Sequence, residues 1–251
     1  MPPAEAAVLD GSPERAGAKS NALFSALAEV APEWSPAPEV VHLRAGHIIA
    51  ENGLTSGAVH FPVSCVISKL TVMEDGRAIE FATVGREGVA GAQEILTGAP
   101  MRMRVVCQVP GLAARVGCDE LAATLKRNAA ARSLLQRYVQ SLLVQVVQIA
   151  ACNRVHAVEE RCARWLLMTH DRVDGDELLL TQELLAQMLG VRRARVNVAA
   201  GILQRAGLIR YTRGRIRVTD RGGLERSACE CYQVIRSEYE ALTMGPGNGG
   251  F

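Results

Sequence analysis

The sequence of 251 residues lacks the marks of a membrane protein, a secreted protein or a disulfide-rich protein. No apolar run approaches the roughly 20 residues that a membrane-spanning helix needs. Residues 1–20, which we predict to be a disordered N-terminal tail, lack the apolar centre of a secretory signal. The seven cysteines are odd in number and irregularly spaced, which disfavours a disulfide framework. We therefore expect a cytoplasmic protein without a membrane partner.

Lysine is also scarce, because arginine outnumbers lysine 25 to 3. The chain carries a net charge of +2, yet the segment 190–221 holds nine arginines and one acid. This segment alone therefore carries +8, and the remainder of the chain carries −6. Such a local concentration of positive charge favours double-stranded DNA as a partner.

The charge lies on a pattern typical of a helix–turn–helix. Thr181 is a favourable N-cap, and Gly190 stands where a first helix should end in the left-handed conformation. A second helix then opens on Arg192 and Arg193. Its expected buried side consists of Val196, Ala199, Ala200 and Leu203. After it, two alternating stretches flank Gly214, which predicts a hairpin wing. The start of a second helix in this arrangement is the part that enters a major groove.

The stretch GVRRARVNVAAGILQRAGLI, residues 190–209, resembles the turn and recognition helix of the Crp/Fnr superfamily of bacterial transcription regulators. The resemblance implies that Arg193 contacts guanine, while Ala194 and Val198 stand at base-reading positions where many members carry Glu and Arg. Those two residues could instead touch thymine methyl groups. The predicted DNA-binding residues are Thr181, Gln182, Arg192, Arg193, Ala194, Arg195, Asn197, Val198, Arg213 and Arg215.

The first half of the chain reads as short strands separated by glycine turns, with Asp75–Gly76 at one hairpin. About eight strands predict a jelly-roll-like β-barrel over 21–120, the shape of the family's sensory domain. The resemblance extends through blocks such as FPVSCVIS, EDGR and VGREGVAG. The fold class is thus α+β: an N-terminal barrel, a long dimerisation helix and a C-terminal winged helix–turn–helix.

In relatives that bind cyclic nucleotides, a Gly-Glu-Leu segment and a following Arg-Ser/Thr hold the ligand. The matching positions here form a candidate effector pocket of Gly91, Ala92, Arg102 and Met103. Ala92 replaces the glutamate and Met103 replaces the hydroxyl residue, so we do not expect cyclic AMP in the usual mode. Two alternatives stay open: Arg102 and Arg104 hold another anion, or the predicted pocket binds no ligand. We expect no cofactor.

We also expect no metal. His42, His47 and His60 lack the spacing of a cupin site, and no cysteine precedes Cys65, which excludes the family's N-terminal iron–sulfur sensor. Cys229 and Cys231 are expected on one helix, where they would point roughly 200° apart. Redox sensing by a cysteine is left open.

A helical period with few breakers predicts a dimerisation helix over 121–153, followed by a winged helix–turn–helix over 154–222 and a C-terminal helix and tail over 223–251. The predicted dimer seam comprises Leu135, Val139, Leu142, Val146 and Ile149. A homodimer would present two recognition helices to two half-sites about 34 Å apart.

We therefore expect a sequence-specific transcription regulator, not an enzyme, that binds an inverted-repeat operator as a homodimer. The resemblance also implies RNA polymerase as a partner. Two alternatives are kept: a cupin-like metal enzyme with an appended helical domain, and an architectural protein that binds DNA through charge alone.

Overall fold

The computed structural model describes residues 20–51, 57–100 and 102–243. The N-terminal tail predicted for 1–20 lies outside the described residues except for Ser20, and so does the end of the C-terminal tail. The chain forms two compact units, one made of residues up to Lys69, Thr83–Ser141 and Tyr239 onward, the other of Leu70–Ala82 and Leu142–Glu238. The domain boundaries predicted from the sequence stay predictions.

Seven strands form two antiparallel sheets at the start of the described chain. One sheet has the order β1–β7–β3 and the other the order β2–β6–β4–β5. The strands are β1 (Glu39–Leu43), β2 (Ile48–Ala50), β3 (Ala58–Pro62), β4 (Val66–Val72), β5 (Ala78–Val84), β6 (Arg104–Val109) and β7 (Gly111–Gly117). The arrangement is jelly-roll-like, as predicted, but the sheets do not close into a barrel.

The core between the two sheets comes from small and branched side chains that alternate along the strands. Val41 and Ala113 belong to the first sheet, while Ile67, Val84 and Cys107 belong to the second, and all are at most 2% exposed. Strands β1 and β7 pair Val41 with Ala113, so both side chains reach the same face. Packing of these two inner faces accounts for the two-layer form.

Three short helices belong to the first unit: α1 (Ala22–Val30), α2 (Ala92–Thr97) and α3 (Cys118–Arg127). Asn21 caps α1 by accepting a hydrogen bond from the Phe24 amide at 2.9 Å. Its side-chain amide also donates to the carbonyls of Pro62 and Gly88, each at 2.9 Å. One buried asparagine therefore fixes the start of the helix against the end of β3 and the loop at Gly88.

The long helix α4 (Ala129–Val155) has 27 residues and so extends about 40 Å. In the first unit, Tyr138 is buried and donates a hydrogen bond to the Val89 carbonyl at 2.9 Å. A Cβ atom at Gly88 would lie 2.5 Å from the Tyr138 ring. Gly88 of the VGREGVAG block is thus required for close packing against Tyr138.

Three of the five residues of the predicted dimer seam are buried within the single chain, and the seam stays a prediction. The positions in question are Leu135, Leu142 and Ile149, which are at most 5% exposed because they pack against residues of their own chain. Leu143 and Val147, each of which directly follows a predicted seam residue in the sequence, are instead 53% and 59% exposed. The heptad period was read correctly, but a period alone does not distinguish the face that packs within the chain from the face left open.

The second unit contains the remaining helices and a three-stranded sheet of order β8–β10–β9. Its elements after α4 are α5 (Val158–His170), β8 (Glu177–Leu179), α6 (Gln182–Leu189), α7 (Arg193–Arg205), β9 (Ile209–Thr212), β10 (Arg215–Val218), α8 (Arg221–Ser227) and α9 (Cys231–Thr243). The sequence predicted one helix after the wing; the structure has two, α8 and α9. None of the helices in the described ranges has the length and apolar character needed to span a membrane.

Candidate nucleic-acid interface

Helix α6 begins and ends as the sequence predicted. The Thr181 hydroxyl accepts a hydrogen bond from the Leu184 amide at 3.1 Å, which caps the helix. Gly190 follows the last turn with φ +64°, the left-handed conformation that glycine adopts without strain. Buried Arg161 of α5 donates to the Leu189 carbonyl, so a cation also satisfies the C-terminal end of α6.

Helix α7 has one buried and one exposed face. Val196, Ala199, Ala200 and Leu203 are at most 3% exposed and pack inward, as the sequence predicted. The predicted DNA-binding residues of this element lie on the opposite, exposed face: Arg192, Arg193, Ala194, Arg195, Asn197 and Val198. Small inward residues allow close helix approach, and they leave the cationic face free for a phosphate backbone.

The wing forms where two alternating stretches were predicted. Strands β9 and β10 pair Thr212 with Arg215 across a two-residue turn. Both turn residues have positive φ, +38° at Arg213 and +81° at Gly214. Two positive φ values define the type I′ geometry that suits a twisted hairpin. Strand β8 pairs with the other side of β10, an addition that the sequence analysis missed.

The nine arginines of segment 190–221 do not all stay available to a partner. Glu177 accepts from Arg215 at 2.7 Å and from Arg217 at 3.0 Å. These bonds, from Arg217 first, hold the pKa of Glu177 below its ordinary value, so the carboxylate stays ionised. Arg221 pairs with Asp171 at 2.6 Å and donates to the Tyr232 hydroxyl at 2.8 Å.

Six arginines have no ion pair among the described residues: Arg192, Arg193, Arg195, Arg205, Arg210 and Arg213. Arg215, which the sequence analysis assigned to DNA, is the one predicted contact residue already held by an acid of its own chain. Arg221 joins the end of α5 to the helices after the wing. Part of the +8 of the segment is therefore neutralised within the chain, and the open charge concentrates on α7 and the wing.

Seven of the ten predicted contact residues line two neighbouring clefts of this unit. Thr181, Gln182, Arg193 and Arg213 line the first cleft together with Tyr211. In it, the Arg193 guanidinium approaches the Gln182 side-chain oxygen at 3.5 Å.

Ala194, Arg195 and Val198 border the second cleft, beside residues at the junction of α4 and α5. Val198 is 63% exposed although it is apolar. The proposed guanine-reading residue and the two apolar reading positions thus flank the same helix start.

The candidate effector residues differ in burial and in their contacts. Ala92 is fully buried, and a Cβ at Gly91 would lie 2.7 Å from Val59. Met103 packs against the core between the sheets, while Arg102 is exposed. Arg104, the second cation considered for an anion, is paired with Glu51 at 3.0 Å. The candidate effector pocket therefore stays a prediction.

Among the described residues, one group of side chains has the composition of a metal site, and the sequence analysis missed it. It consists of Cys152, His156, Cys229 and Cys231. The prediction that Cys229 and Cys231 lie on one helix is wrong, because α9 begins at Cys231 and Cys229 precedes it. The reason for expecting no metal there is thereby removed. The spacing Cys-x3-His followed by Cys-x-Cys was the available signal.

The comparisons with known proteins point to the same part of the chain. Residues 160–227, from α5 to α8, match the family model of the Crp-like helix-turn-helix domain. The chain contains a Crp-like helix-turn-helix domain. Comparison with curated protein sequences returns no match.

Solved structures extend the likeness beyond the Crp-like domain. FixK2 from Bradyrhizobium japonicum has a TM-score of 0.65 at 17% identity, covering 76% of this chain and 98% of its own. TTHB099, a CRP-family transcriptional regulator from Thermus thermophilus, has a TM-score of 0.62 at 20% identity, covering 74% and 95%. CLP from Xanthomonas campestris, described as a c-di-GMP responsive global regulator, has a TM-score of 0.57 at 15% identity, covering 77% and 98%. The chain therefore has the fold of Crp/Fnr regulators.

Proposed function

We propose that this protein is a transcription regulator that binds an inverted-repeat operator as a homodimer, with α7 as the recognition helix. The observation that carries the proposal is the exposed face of α7, where Arg192, Arg193 and Arg195 stand at the start of the second helix of a Crp-like domain. Such a helix start reads base edges in the major groove, and adjacent cations anchor the phosphates. RNA polymerase is a further proposed partner, by the resemblance alone.

The exposed stripe on α4 supports the homodimer. Leu143 and Val147 are four residues apart, so they lie on one face, and both are more than half exposed. Large apolar residues that repeat along an exposed helix face favour pairing with a second helix of the same kind. We infer that a second copy covers this face, with partly buried Val139 and Val146 at its edge.

Selection of bound DNA from a random pool tests the proposal as a whole. We expect a twofold-symmetric site whose half-sites are centred about one helical turn apart, ~34 Å. Binding without sequence preference would instead support the architectural alternative, because phosphate contacts alone do not specify sequence.

A pair of arginine variants tests the assignment within α7. Arg193→Ala should weaken binding to the selected operator by about 1–3 kcal/mol and relax the choice at one base pair of each half-site. Arg195→Ala is the matched control on the same helix, and it should weaken binding to all sequences alike. Equal loss on operator and random DNA for Arg193→Ala would contradict its base-reading role.

Sedimentation tests the dimer separately from DNA binding. Leu143→Glu and Val147→Glu should each shift the chain toward monomer, because a charge would be buried at the seam. Ser133→Glu, also exposed on α4, should leave the mass unchanged. A wild-type monomer at micromolar concentration, or a dimer indifferent to both apolar-site variants, would remove this face from the proposal.

Calorimetry addresses the effector. We expect no binding heat from cyclic AMP or cyclic GMP, because Ala92 is buried and Gly91 is backed by Val59. A micromolar affinity for either nucleotide would show that the sheets rearrange to admit it.

A further inference from the structure

Four metal-ligand side chains from two distant parts of the sequence meet within the second unit. Cys152 lies in the last turn of α4, and His156 follows the last helical residue with its backbone amide donating to the Cys152 carbonyl at 3.1 Å. Cys229 and Cys231 flank Glu230 where the chain passes from α8 into α9. The three cysteines are at most 5% exposed and form one buried cluster. The topology thus brings together a set of three sulfur donors and one nitrogen donor.

The distances between these donors are those of a site for a single ion. The four ligand atoms all lie within 4.8 Å of one another. The Sγ atoms of Cys152 and Cys229 are 3.5 Å apart, and the Sγ of Cys231 is 3.5 Å from Nδ1 of His156. A tetrahedral zinc ion, with Zn–S of about 2.3 Å and Zn–N of about 2.0–2.1 Å, places its ligands about 3.5–3.8 Å apart.

The surroundings of the cluster match what a metal site requires of its neighbours. If Nδ1 of His156 faces the metal, Nε2 must carry the proton, and Nε2 lies 3.2 Å from the Glu230 carboxylate. That carboxylate would fix the tautomer and the orientation of the ring. The Gln148 side-chain amide donates to the Sγ of Cys231 at 3.1 Å, a further bond to a sulfur donor.

Neither a disulfide nor an iron–sulfur cluster accounts for all four side chains. A disulfide between Cys152 and Cys229 would need the sulfurs about 2.05 Å apart, and it would employ neither Cys231 nor His156. An iron–sulfur cluster attaches its cysteines to different irons, which requires a wider set of sulfurs than four donors around one ion. Three thiolates and one imidazole form a closed tetrahedral set that suits zinc.

We infer that Cys152, His156, Cys229 and Cys231 bind one Zn²⁺ ion in a structural site that joins the end of α4 to the start of α9. The inference is independent of the DNA-binding role proposed above. Each ligand set comes from a separate segment, so metal binding would cross-link the two segments and stabilise the folded unit.

Metal content and cobalt substitution test the site in the full-length chain. The chain is purified under reducing conditions, stripped with a chelator and titrated with Co²⁺ and then Zn²⁺. We expect one equivalent of Co²⁺ with the strong visible bands of tetrahedral cobalt and a near-ultraviolet thiolate-to-cobalt band, both abolished by one equivalent of Zn²⁺. Less than stoichiometric binding would overturn the inference, as would octahedral cobalt or purified protein that contains iron and acid-labile sulfide.

Ligand variants identify the donors. Cys229→Ser should abolish stoichiometric cobalt binding, whereas Cys118→Ser, a half-exposed cysteine outside the cluster, should leave it unchanged. Because Cys229→Ser could unfold the unit, His156→Cys provides a second test. It should retain one metal ion and strengthen the thiolate-to-cobalt band from three sulfurs toward four. An unchanged band in His156→Cys would exclude His156 as a ligand.

Glu230 is a positioning residue in this scheme, and its role has its own readout. Glu230→Gln should lower zinc affinity about 10- to 100-fold without changing the stoichiometry or the cobalt band positions. Glu74→Gln removes an exposed carboxylate of the hairpin between β4 and β5 and should have no effect. Equal affinities for Glu230→Gln and the wild type would show that the carboxylate does not orient His156.

Discussion

Arg213 at the tip of the wing combines two opposed roles, and its replacement should separate them. It is the one residue other than glycine with positive φ in the described ranges, at +38°. A left-handed conformation costs an ordinary L-residue about 1–2 kcal/mol, whereas asparagine tolerates it better. Arg213 also lines the cleft that contains Thr181 and Arg193, and it has no ion pair among the described residues.

Arg213→Asn should therefore stabilise the protein and weaken its binding to DNA. The change creates an Asn-Gly turn, the pair most favoured in type I′ hairpins, so we expect a gain of about 0.5–1 kcal/mol. At this size of protein, that gain corresponds to a rise of roughly 1–4 °C in Tm. If the dimer places one wing on each half-site, two phosphate contacts are lost, and the slope of log K against log salt falls by about 1.8.

Thermal unfolding and DNA binding over a series of salt concentrations measure these two effects on the same preparation. Arg44→Asn removes an exposed arginine of the other unit and should change neither the salt slope nor Tm by a comparable amount. A salt slope equal to that of the wild type would show that the wing does not reach phosphate. A lower Tm would show that the turn conformation imposes no cost on arginine.

Two further predictions concern stability. In urea unfolding, Trp165→Phe should lower the free energy of unfolding by about 1–3 kcal/mol more than Trp34→Phe does. The Trp165 indole donates to the buried Glu80 carboxylate at 2.8 Å, whereas the Trp34 indole nitrogen has no partner among the described residues. Equal losses for the two variants would contradict the role of the Trp165 bond. Burial first, and then the charge of Arg115, lower the pKa of His60 from 6.5 to about 4. Since the unfolded chain binds that proton more readily, the contribution of His60 to the free energy of unfolding should be fully present above pH 6.5. It should decrease by on the order of 3 kcal/mol as the pH falls to 4. In unfolding titrations, His60→Leu should remove this decrease.

The helix–turn–helix was predictable because its signals are local. A cap at Thr181, a stop at Gly190 and the inward set headed by Val196 each depend on residues within one or two helical turns. The structure confirms these local features. The wing was predictable for the same reason, since the tight turn at Gly214 is determined by the residues next to it in the sequence.

The errors arose where the outcome depends on contacts between distant segments. The apolar residues of α4 lie on two adjacent faces of the helix. The elements packed around the helix determine that Leu142 is buried while Leu143 is exposed. Arg215 pairs with Glu177 of strand β8, and these two residues are 38 positions apart in the sequence. The cysteine cluster joins residues 77 positions apart, so neither of its halves identifies the site alone.

The remaining question at the interface is what an apolar reading position can recognise. Val198 is 63% exposed on α7, at one of the positions that the family resemblance assigns to base reading. A valine or alanine cannot satisfy a base-edge donor or acceptor, but either can pack against the C5-methyl group of thymine. We therefore expect the selected operator to carry thymine opposite Val198.

Replacement of that thymine by uracil removes the methyl group and leaves every hydrogen-bonding group in place. Burial of one methyl is worth about 0.8 kcal/mol, so each substituted half-site should weaken binding about fourfold. Val198→Ala should weaken binding to the thymine operator and remove most of the difference between thymine and uracil, because the two changes delete opposite sides of one contact. If uracil weakens the wild type and the variant equally, Val198 does not read the methyl group, and the preference for thymine at that position must come from the shape of the DNA.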